Sequence, residues 1–552
     1  MIATTNATVF DIHLLQEQIC AHLTLRDIRR CSLVSRDFYF NFTPHLYKTI
    51  SIHRKSTFNK FHQPESLAAL SKHRNQVNHV SCEFAQIWKT LLDHKCHNLV
   101  TLTSGRLLKR YSNVEKNKHQ TRYISDLIEV NPRLYSVSLG QFLFKPEVVT
   151  RFCSVLRHHT QIRELSIVSP TVCVPCALTR QFLWSSFRLE KLCLDVFSTK
   201  YSHEEISDLQ FQEYLGLTGS KNPVFSLKEL FFPVNMYLRE HDAFFRFLEF
   251  TPHIERITTP TFRYDYQIEG LQAVMQTTVT NIQHLNVHSI SVDGRLVAEM
   301  VRLCRNLKSF VSGSRRHGVS FVAGALLEHK ETLEEVHLVQ ASRITSLQVL
   351  SFLTDCPKLR IFDVMCKWEK LSPDSEVLAR QRIGDVILST ADMNAIAATS
   401  TISWACTGLK VLKMRYAVSE RDQNETEEEW EAANEWVLPK VLYDRIAELT
   451  ELEILWLGRV EPAVPSADSL MLAWRVGRGE VVPELESRQP VSESEIRQYE
   501  MGTLNMSKAL LAWRSLSRLR QLHLRGLKNF IDKNAVREAR KSWGNLDWVW
   551  YH

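Results

Sequence analysis

The chain has 552 residues, 44% hydrophobic and 23% charged, the balance of a soluble folded protein, which excludes wholesale disorder. Its 68 basic and 61 acidic residues leave a net charge of +7, a weak excess for this length, whereas a nucleic-acid binder needs clustered Lys and Arg. No run of about 18 apolar residues occurs and Met1 to Thr8 is small and polar rather than a secretory leader, so a cytoplasmic or nuclear protein without a membrane span is expected.

Residues 10–50 read as short amphipathic helices. Leu15, Ile19 and Leu23 are spaced four apart and share one helical face. Thr24 can cap a second helix opened by Leu25, with Asp27 in its first turn near the positive helix end. Ile28, Leu33 and Val34 are expected to continue that helix, and Ser35 to start a third leading to Phe38 and Phe42. A unit this small builds a poor core, so it is expected to lean on a partner or a neighbouring domain. Residues 51–98 read as a linker and cap, and the basic run Arg106, Lys109, Arg110, Lys116, Lys118 and Arg122 as a solvated loop.

From Leu134 onward one pattern recurs: an apolar residue, two variable ones, an apolar one, one variable, an apolar one. It stands at Leu134-Tyr135-Ser136-Val137-Ser138-Leu139 and begins again at Ile162, Leu189, Leu227, Ile254, Ile282, Leu307, Leu333, Leu359, Leu409, Leu452 and Leu519. The steps are 28, 27, 38, 27, 28, 25, 26, 26, 50, 43 and 67 residues. A period in the twenties marks a solenoid of stacked units. In each unit the second and third apolar residues face one side of a short strand and the variable residue between them faces the other. Parallel strands need a crossover, which the intervening helices supply.

The crossovers carry helical spacing. Pro146 opens one at a first helical position, with Val148, Phe152, Val155 and Leu156 on one face. Leu296, Val297, Met300, Val301 and Cys304 form another face, as do Leu347, Leu350 and Leu353, and Val441, Leu442, Ile446 and Leu449. Cys153, Cys304, Cys356 and Cys406 are expected as small buried hydrophobes at helix-to-strand corners, part of a set of 12 reduced cysteines. The long late steps imply insertions near 368–405, 421–436 and 460–506, the second rich in glutamate and expected exposed. Leu546 to Tyr551 reads as a terminal strand.

The variable strand residues include Ser136, Glu164, Lys191, Asp195, Glu229, Phe231, Arg256, His284, Asn286, Glu335, His337, Asp363, Lys413, Arg415, Trp456, His523 and Arg525. Of these, Phe231, Arg256, His284, Asn286, His337, Lys413, Arg415 and Trp456 are the candidates for holding a partner, with Phe231 and Trp456 as aromatic anchors. Their mixed charges argue against nucleic acid. Cys173-Val174-Pro175-Cys176 has the spacing of half a zinc site, but no second pair completes it, so no metal is expected. Neither a phosphate-cradling glycine loop nor a Gly-x-Ser-x-Gly elbow is present, so no cofactor and no catalytic residue is expected. A hydrolase built on a Cys/His pair stays open, because such residues meet only in the fold.

The run from Ile19 through Leu23, Leu25, Asp27, Ile28, Leu33, Val34 and Ser35 to Phe38 resembles an F-box, and Pro44 to Ile52 resembles the tail that joins F-boxes to substrate domains. The recurring pattern resembles the leucine-rich repeat of the long, helix-backed type, although the usual Asn after the last apolar position is mostly missing. Together the chain is similar to F-box/leucine-rich-repeat proteins. The resemblance implies an α/β fold: a curved parallel-sheet solenoid backed by helices over 99–552, with a small all-α domain over 1–50. It also implies a non-catalytic substrate receptor of an SCF-type ubiquitin ligase. Leu15, Ile19, Leu23, Leu25, Ile28, Leu33, Val34 and Phe38 would carry binding to a Skp-type adaptor, and through it a cullin, or the packing behind that surface. The repeats would hold an unidentified protein substrate, with no nucleic acid or membrane partner. One departure is that Asp11-Ile12 stands where the family has Leu-Pro. The alternative is a repeat scaffold with a degenerate F-box and no ligase role.

Overall fold

A computed structural model of the chain describes residues 13–105, 114–140, 146–174, 182–183, 185, 187–198, 225–232, 240–287, 292–312, 319–338, 344, 346–364, 403–416, 438–459, 510, 512–525, 537–538, 541, 543 and 548–550. Side-chain chemistry sets the first helices. Helix α2 (Leu25–Cys31) follows α1 (His13–His22) and opens on Thr24, whose hydroxyl accepts the Asp27 amide at 3.3 Å. Helix α3 (Arg36–Tyr47) opens on Ser35, which accepts the Phe38 amide at 3.2 Å. Both caps sit where the sequence expects them. The second helix is shorter than expected, however. The amides of Leu33 and Val34 bond to the carbonyls of Arg30 and Cys31, a tight turn rather than a helical continuation. Leu33 and Val34 therefore stand in the α2–α3 turn, because the Ser35 cap claims the next helix start. Cys20, Ile28 and Phe42 form the small core, with Leu23, Cys31, Phe38 and Leu46 packed around it.

The chain divides into two units, Met1–Pro260 and Thr261–His552. In the first, eight strands follow in chain order: β1 (Thr49–Ile52), β2 (His79–Cys82), β3 (Thr101–Ser104), β4 (Ser136–Leu139), β5 (Glu164–Val174), β6 (Lys191–Ser198), β7 (Glu229–Phe231) and β8 (Arg256–Thr258). Each pairs in parallel with the next. Between them run α4 (Lys55–Phe61), α5 (Pro64–His73), α6 (Ala85–Asp93), α7 (Val114–Val130), α8 (Pro146–His158) and α9 (Glu240–Glu249). The second unit repeats the scheme. Helix α10 (Asp265–Thr277) leads to β9 (His284–Val287), α11 (Gly294–Leu303), β10 (Ser309–Ser312), α12 (Val319–Leu327) and β11 (Glu335–Leu338). Then come α13 (Ser346–Asp355), β12 (Ile361–Asp363), β13 (Val411–Tyr416), α14 (Leu438–Ala447), β14 (Ile454–Arg459), β15 (Gln521–Arg525) and β16 (Trp548–Trp550). These strands too are parallel and in sequence order. The α/β class and the open, helix-backed parallel sheet expected from the sequence are both present. The terminal strand at 548–550 is also where it was expected.

Strand alternation decides what is buried. In β2, β3, β4, β9 and β11 the second and fourth residues are buried and the first and third half-buried. One register row of the second unit, Leu285, Phe310, Val336, Phe362, Leu412, Leu455 and Leu522, lies wholly in the core. The rhythm also starts earlier than Leu134. Val77-Asn78-His79-Val80-Ser81-Cys82 and Leu99-Val100-Thr101-Leu102-Thr103-Ser104 fit it, with Cys and Ser in the third apolar place.

Two helix readings shift by a residue. In α8 the fully buried face is Val149, Phe152, Cys153 and Leu156, with Val148 only half-buried. In α13 Val349, Phe352 and Leu353 are buried while Leu347, near the exposed helix start, is not. Cys304, Cys356 and Cys406 do occupy buried corners, but Cys153 lies inside α8. The corner is the residue three before each repeat's first apolar position. In several repeats a carbonyl there accepts the amide of that apolar residue, as in Leu134 N to Asn131 O (3.0 Å), Leu359 N to Cys356 O (3.2 Å) and Leu409 N to Cys406 O (3.0 Å), while at Ile162 the acceptor is the His159 ring (3.3 Å).

Just ahead of each strand a second ladder runs along the sheet. Glu190 N donates to Arg163 O (2.7 Å), Lys228 N to Glu190 O (2.8 Å) and, in the other unit, Glu334 N to Lys308 O (2.7 Å). The side chains on it alternate in sign: Arg163, Glu190, Lys228 and Glu255 in one unit, and Lys308, Glu334 and Arg360 in the other. Ion pairs Arg163–Glu190 (3.8 Å), Lys228–Glu190 (3.1 Å) and Lys410–Glu453 (3.5 Å) follow. The alternation fails once in the second unit, where Arg360 and Lys410 are neighbours.

The insertions expected at 421–436 and 460–506, and residues 368–402 of the first, lie outside the described residues. Among the described residues no helix is long and apolar enough to cross a membrane.

Candidate partner-binding surfaces

The three N-terminal helices expose what their small core cannot absorb. Leu33 is 77% exposed, Val34 68%, Leu25 60% and Phe40 60%, with Tyr39 also on the surface. Arg36 lies over the Phe40 ring, 5.8 Å from its centroid. Of the residues expected to touch an adaptor, Leu25, Leu33 and Val34 are among these exposed side chains. Ile28 is buried, Leu23 and Phe38 pack around it, and Leu15 and Ile19 are half-buried. Tyr39 and Phe40 were not expected. They follow Phe38 directly, and a search for one periodic face passes over adjacent aromatics.

On the open face of the first unit, Ser51, Ser81, Thr103, Ser138 and Ser166 share one register across β1–β5, which continues to Cys193 and Phe231. Phe231 is 40% exposed. The row beside it reads Glu164, Lys191, Glu229, Arg256, with Lys191 and Glu229 paired at 3.0 Å. Arg256 thus belongs to a self-compensating ladder. His53 lies 3.2 Å from Ser81 Oγ and 3.4 Å from Glu83, an arrangement reminiscent of a proton relay. Nearby backbone amides that an oxyanion would need are already taken: Glu83 N by Ile52 O and Gly105 N by Cys82 O.

In the second unit the expected candidates converge. His284 and Asn286 are half-buried on β9. His337, Asp363, Lys413, Trp456 and His523 hold one register across β11–β15. Lys413 Nζ donates to Asp363 Oδ2 at 2.9 Å, and His337 Nδ1 approaches the same oxygen at 3.8 Å. Lys413 also sits 4.8 Å from the centroid of the Trp456 ring, and the His523 ring lies against it at a tilt of 36°, centroids 3.8 Å apart. Burial, with Lys413 nearby, lowers the His523 pKa to about 4, so the imidazole is neutral at physiological pH. The indole Nε1 of Trp456 is buried without a hydrogen-bond partner. Asp363 and His523 complete this cluster, though only their neighbours stood out in the sequence. Arg415 shares its register with Gly458 and Arg525, and its side chain lies outside the described residues.

Burial pushes the thiols of Cys96, Cys153, Cys304, Cys356 and Cys406 up to about 12, and Cys82 further still. These sulfurs are protonated packing groups rather than nucleophiles. Among the described residues no group of His, Cys, Asp or Glu is arranged to hold a metal ion, while the side chains of Cys173 and Cys176 lie outside them. The chain matches no protein-family model, and no curated protein is similar to it.

Proposed function

We propose that this protein is the substrate-recognition subunit of an SCF-type ubiquitin ligase, a non-catalytic receptor acting in the cytoplasm or nucleus. In this reading residues 1–50 are an F-box that binds a Skp-type adaptor and, through it, a cullin. The stacked strand-helix units are leucine-rich repeats whose open sheet face holds a target protein. The observation that carries it is the exposure of Leu25, Leu33, Val34 and Phe40, aliphatic and aromatic side chains left in water by a helical unit with little core of its own. Large apolar side chains exposed in such number on so small a unit support a protein–protein interface there.

The test is co-purification of a Skp-type adaptor with the full chain. Leu33→Asp with Val34→Asp should abolish capture while leaving the melting temperature unchanged, because both residues sit in an exposed turn. Capture that survives this double change refutes the F-box reading. A wild-type chain that captures no adaptor favours the second reading, a repeat scaffold with a degenerate F-box, which the Asp11-Ile12 departure supports.

A further inference from the structure

On the hydroxyl row of the first unit, one imidazole is held between a serine and a carboxylate. Ser51, Ser81 and Thr103 share a register on β1, β2 and β3, so a small hydroxyl residue stands on each side of Ser81. Past the strand ends the ladder continues, through Glu83 N to Ile52 O (3.3 Å) and Gly105 N to Cys82 O (2.9 Å). These bonds keep His53, Glu83 and Gly105 in line two residues beyond the row, and residues two apart on a strand point to one face. His53 therefore bridges the two: its Nε2 lies 3.2 Å from Ser81 Oγ and its Nδ1 3.4 Å from Glu83 Oε1. The carboxylate favours the ring proton on Nδ1, which leaves the Nε2 lone pair to the hydroxyl. Gly105 makes room for this arrangement, since a Cβ there would fall 2.5 Å from Glu83 Cγ. A neighbouring pair lacks the third member. His79 Nδ1 lies 2.9 Å from Thr101 Oγ1, and among the described residues no carboxylate pairs with that ring.

We infer that Ser81 is an acylation site, its hydroxyl taking the acyl group of an activated ester or thioester. Ser81 Oγ attacks the carbonyl carbon and passes its proton to His53 Nε2. The bond to the leaving oxygen or sulfur breaks, and that atom departs with the electron pair. The proton on His53 follows it or goes to water. The products are acyl-Ser81 and the free phenol or thiol, with no change of oxidation state. Glu83 is the positioning residue, acting through the imidazole alone. Commitment of the Glu83 and Gly105 amides to the ladder sets the limit. Without oxyanion donors of that kind, esters with poor leaving groups do not react and the acyl-serine is not turned over. Ser81 is thus modified once rather than acting as a catalyst, and the inference stands beside the receptor reading without resting on it.

The probe is p-nitrophenyl acetate with the full chain, read by p-nitrophenolate release and by peptide mass spectrometry. A single burst of about one equivalent is expected, with the acetyl group on Ser81. Ser81→Ala should remove the burst, and His53→Gln should slow it about 100-fold or more. Glu83→Gln and Gly105→Ala should slow it too, without changing the ester concentration that half-saturates the rate. Ethyl acetate should leave Ser81 unmodified. Mapping on the wild-type chain decides the matter even where a variant fails to fold. Acetyl groups on Thr101 or on lysines but not on Ser81, a burst of equal rate from the urea-unfolded chain, steady turnover in place of a burst, or a rate unchanged in His53→Gln would overturn the inference. Failure here leaves adaptor capture, and with it the receptor reading, untouched.

Discussion

Asn131 is wholly buried at the corner between α7 and β4, and its amide does work that the backbone leaves undone. Its Oδ1 accepts the Leu99 amide at 2.8 Å, and its Nδ2 donates to Leu127 O at 2.8 Å. The Asn131 backbone amide has turned to Ile128 O instead, so the side chain replaces the lost helical bond at Leu127. Asn131→Ala leaves a buried N–H and a buried carbonyl without partners. An orphaned buried group costs about 1–3 kcal/mol, and with a second weakened acceptor the total is about 2–4 kcal/mol. The control is Asn98→Ala, whose exposed amide donates only to Asn75 O at 2.9 Å and whose loss should stay within about 0.5 kcal/mol. Urea unfolding measures the difference, and hydrogen exchange of the Leu99 amide locates it. A cost for Asn131→Ala no larger than that of the control, with Leu99 protection unchanged, would refute the argument.

Leu285→Ala should lower stability by about 2–5 kcal/mol through transfer and cavity terms, since Leu285 sits in the fully buried row of the second unit. A melting curve that does not move would place it outside the core. Acid should destabilise the protein well before its carboxylates titrate. His523, His79 and His329 all have pKa values lowered chiefly by burial, His523 to about 4. The unfolded chain therefore takes up protons that the folded one refuses, and this stability is complete above the unfolded histidine value of about 6.5 and lost as pH falls toward 4. The urea midpoint should drop across that window, and less steeply in His523→Asn. Alkylation of the native protein at neutral pH should spare Cys96, Cys153, Cys304, Cys356 and Cys406, and mass spectrometry after brief iodoacetamide treatment checks this.

The repeat was legible from Leu134 onward because aliphatic residues mark all three core places. It was missed at β2 and β3 because Cys82 and Ser104 fill the last place, small enough to pack there yet not counted as apolar landmarks. The Leu33–Val34 turn was hidden for a different reason. Helical periodicity extends through it, and only competition from the Ser35 cap ends the helix. The cluster around Asp363 was legible residue by residue but not as a group. Its members lie 26, 50, 43 and 67 residues apart, from His337 to Asp363, Lys413, Trp456 and His523, and pairing across such steps follows from register rather than spacing.

The break in charge alternation at Arg360 and Lys410 sits on the β12–β13 joint, where 50 residues separate one repeat from the next. In a stacked array each repeat leans only on its neighbours, so the weakest joint decides where the stack parts. At one end of this joint Arg360 and Lys410 adjoin on the ladder, and Lys410 pairs instead with Glu453 at 3.5 Å. At the other, Asp363 and Lys413 staple the same two strands together. The staple thus closes the seam and sets Lys413 against the Trp456 ring of the next strand. Any ligand that bridged the two strands would add contacts to both, so its binding would also hold this joint closed.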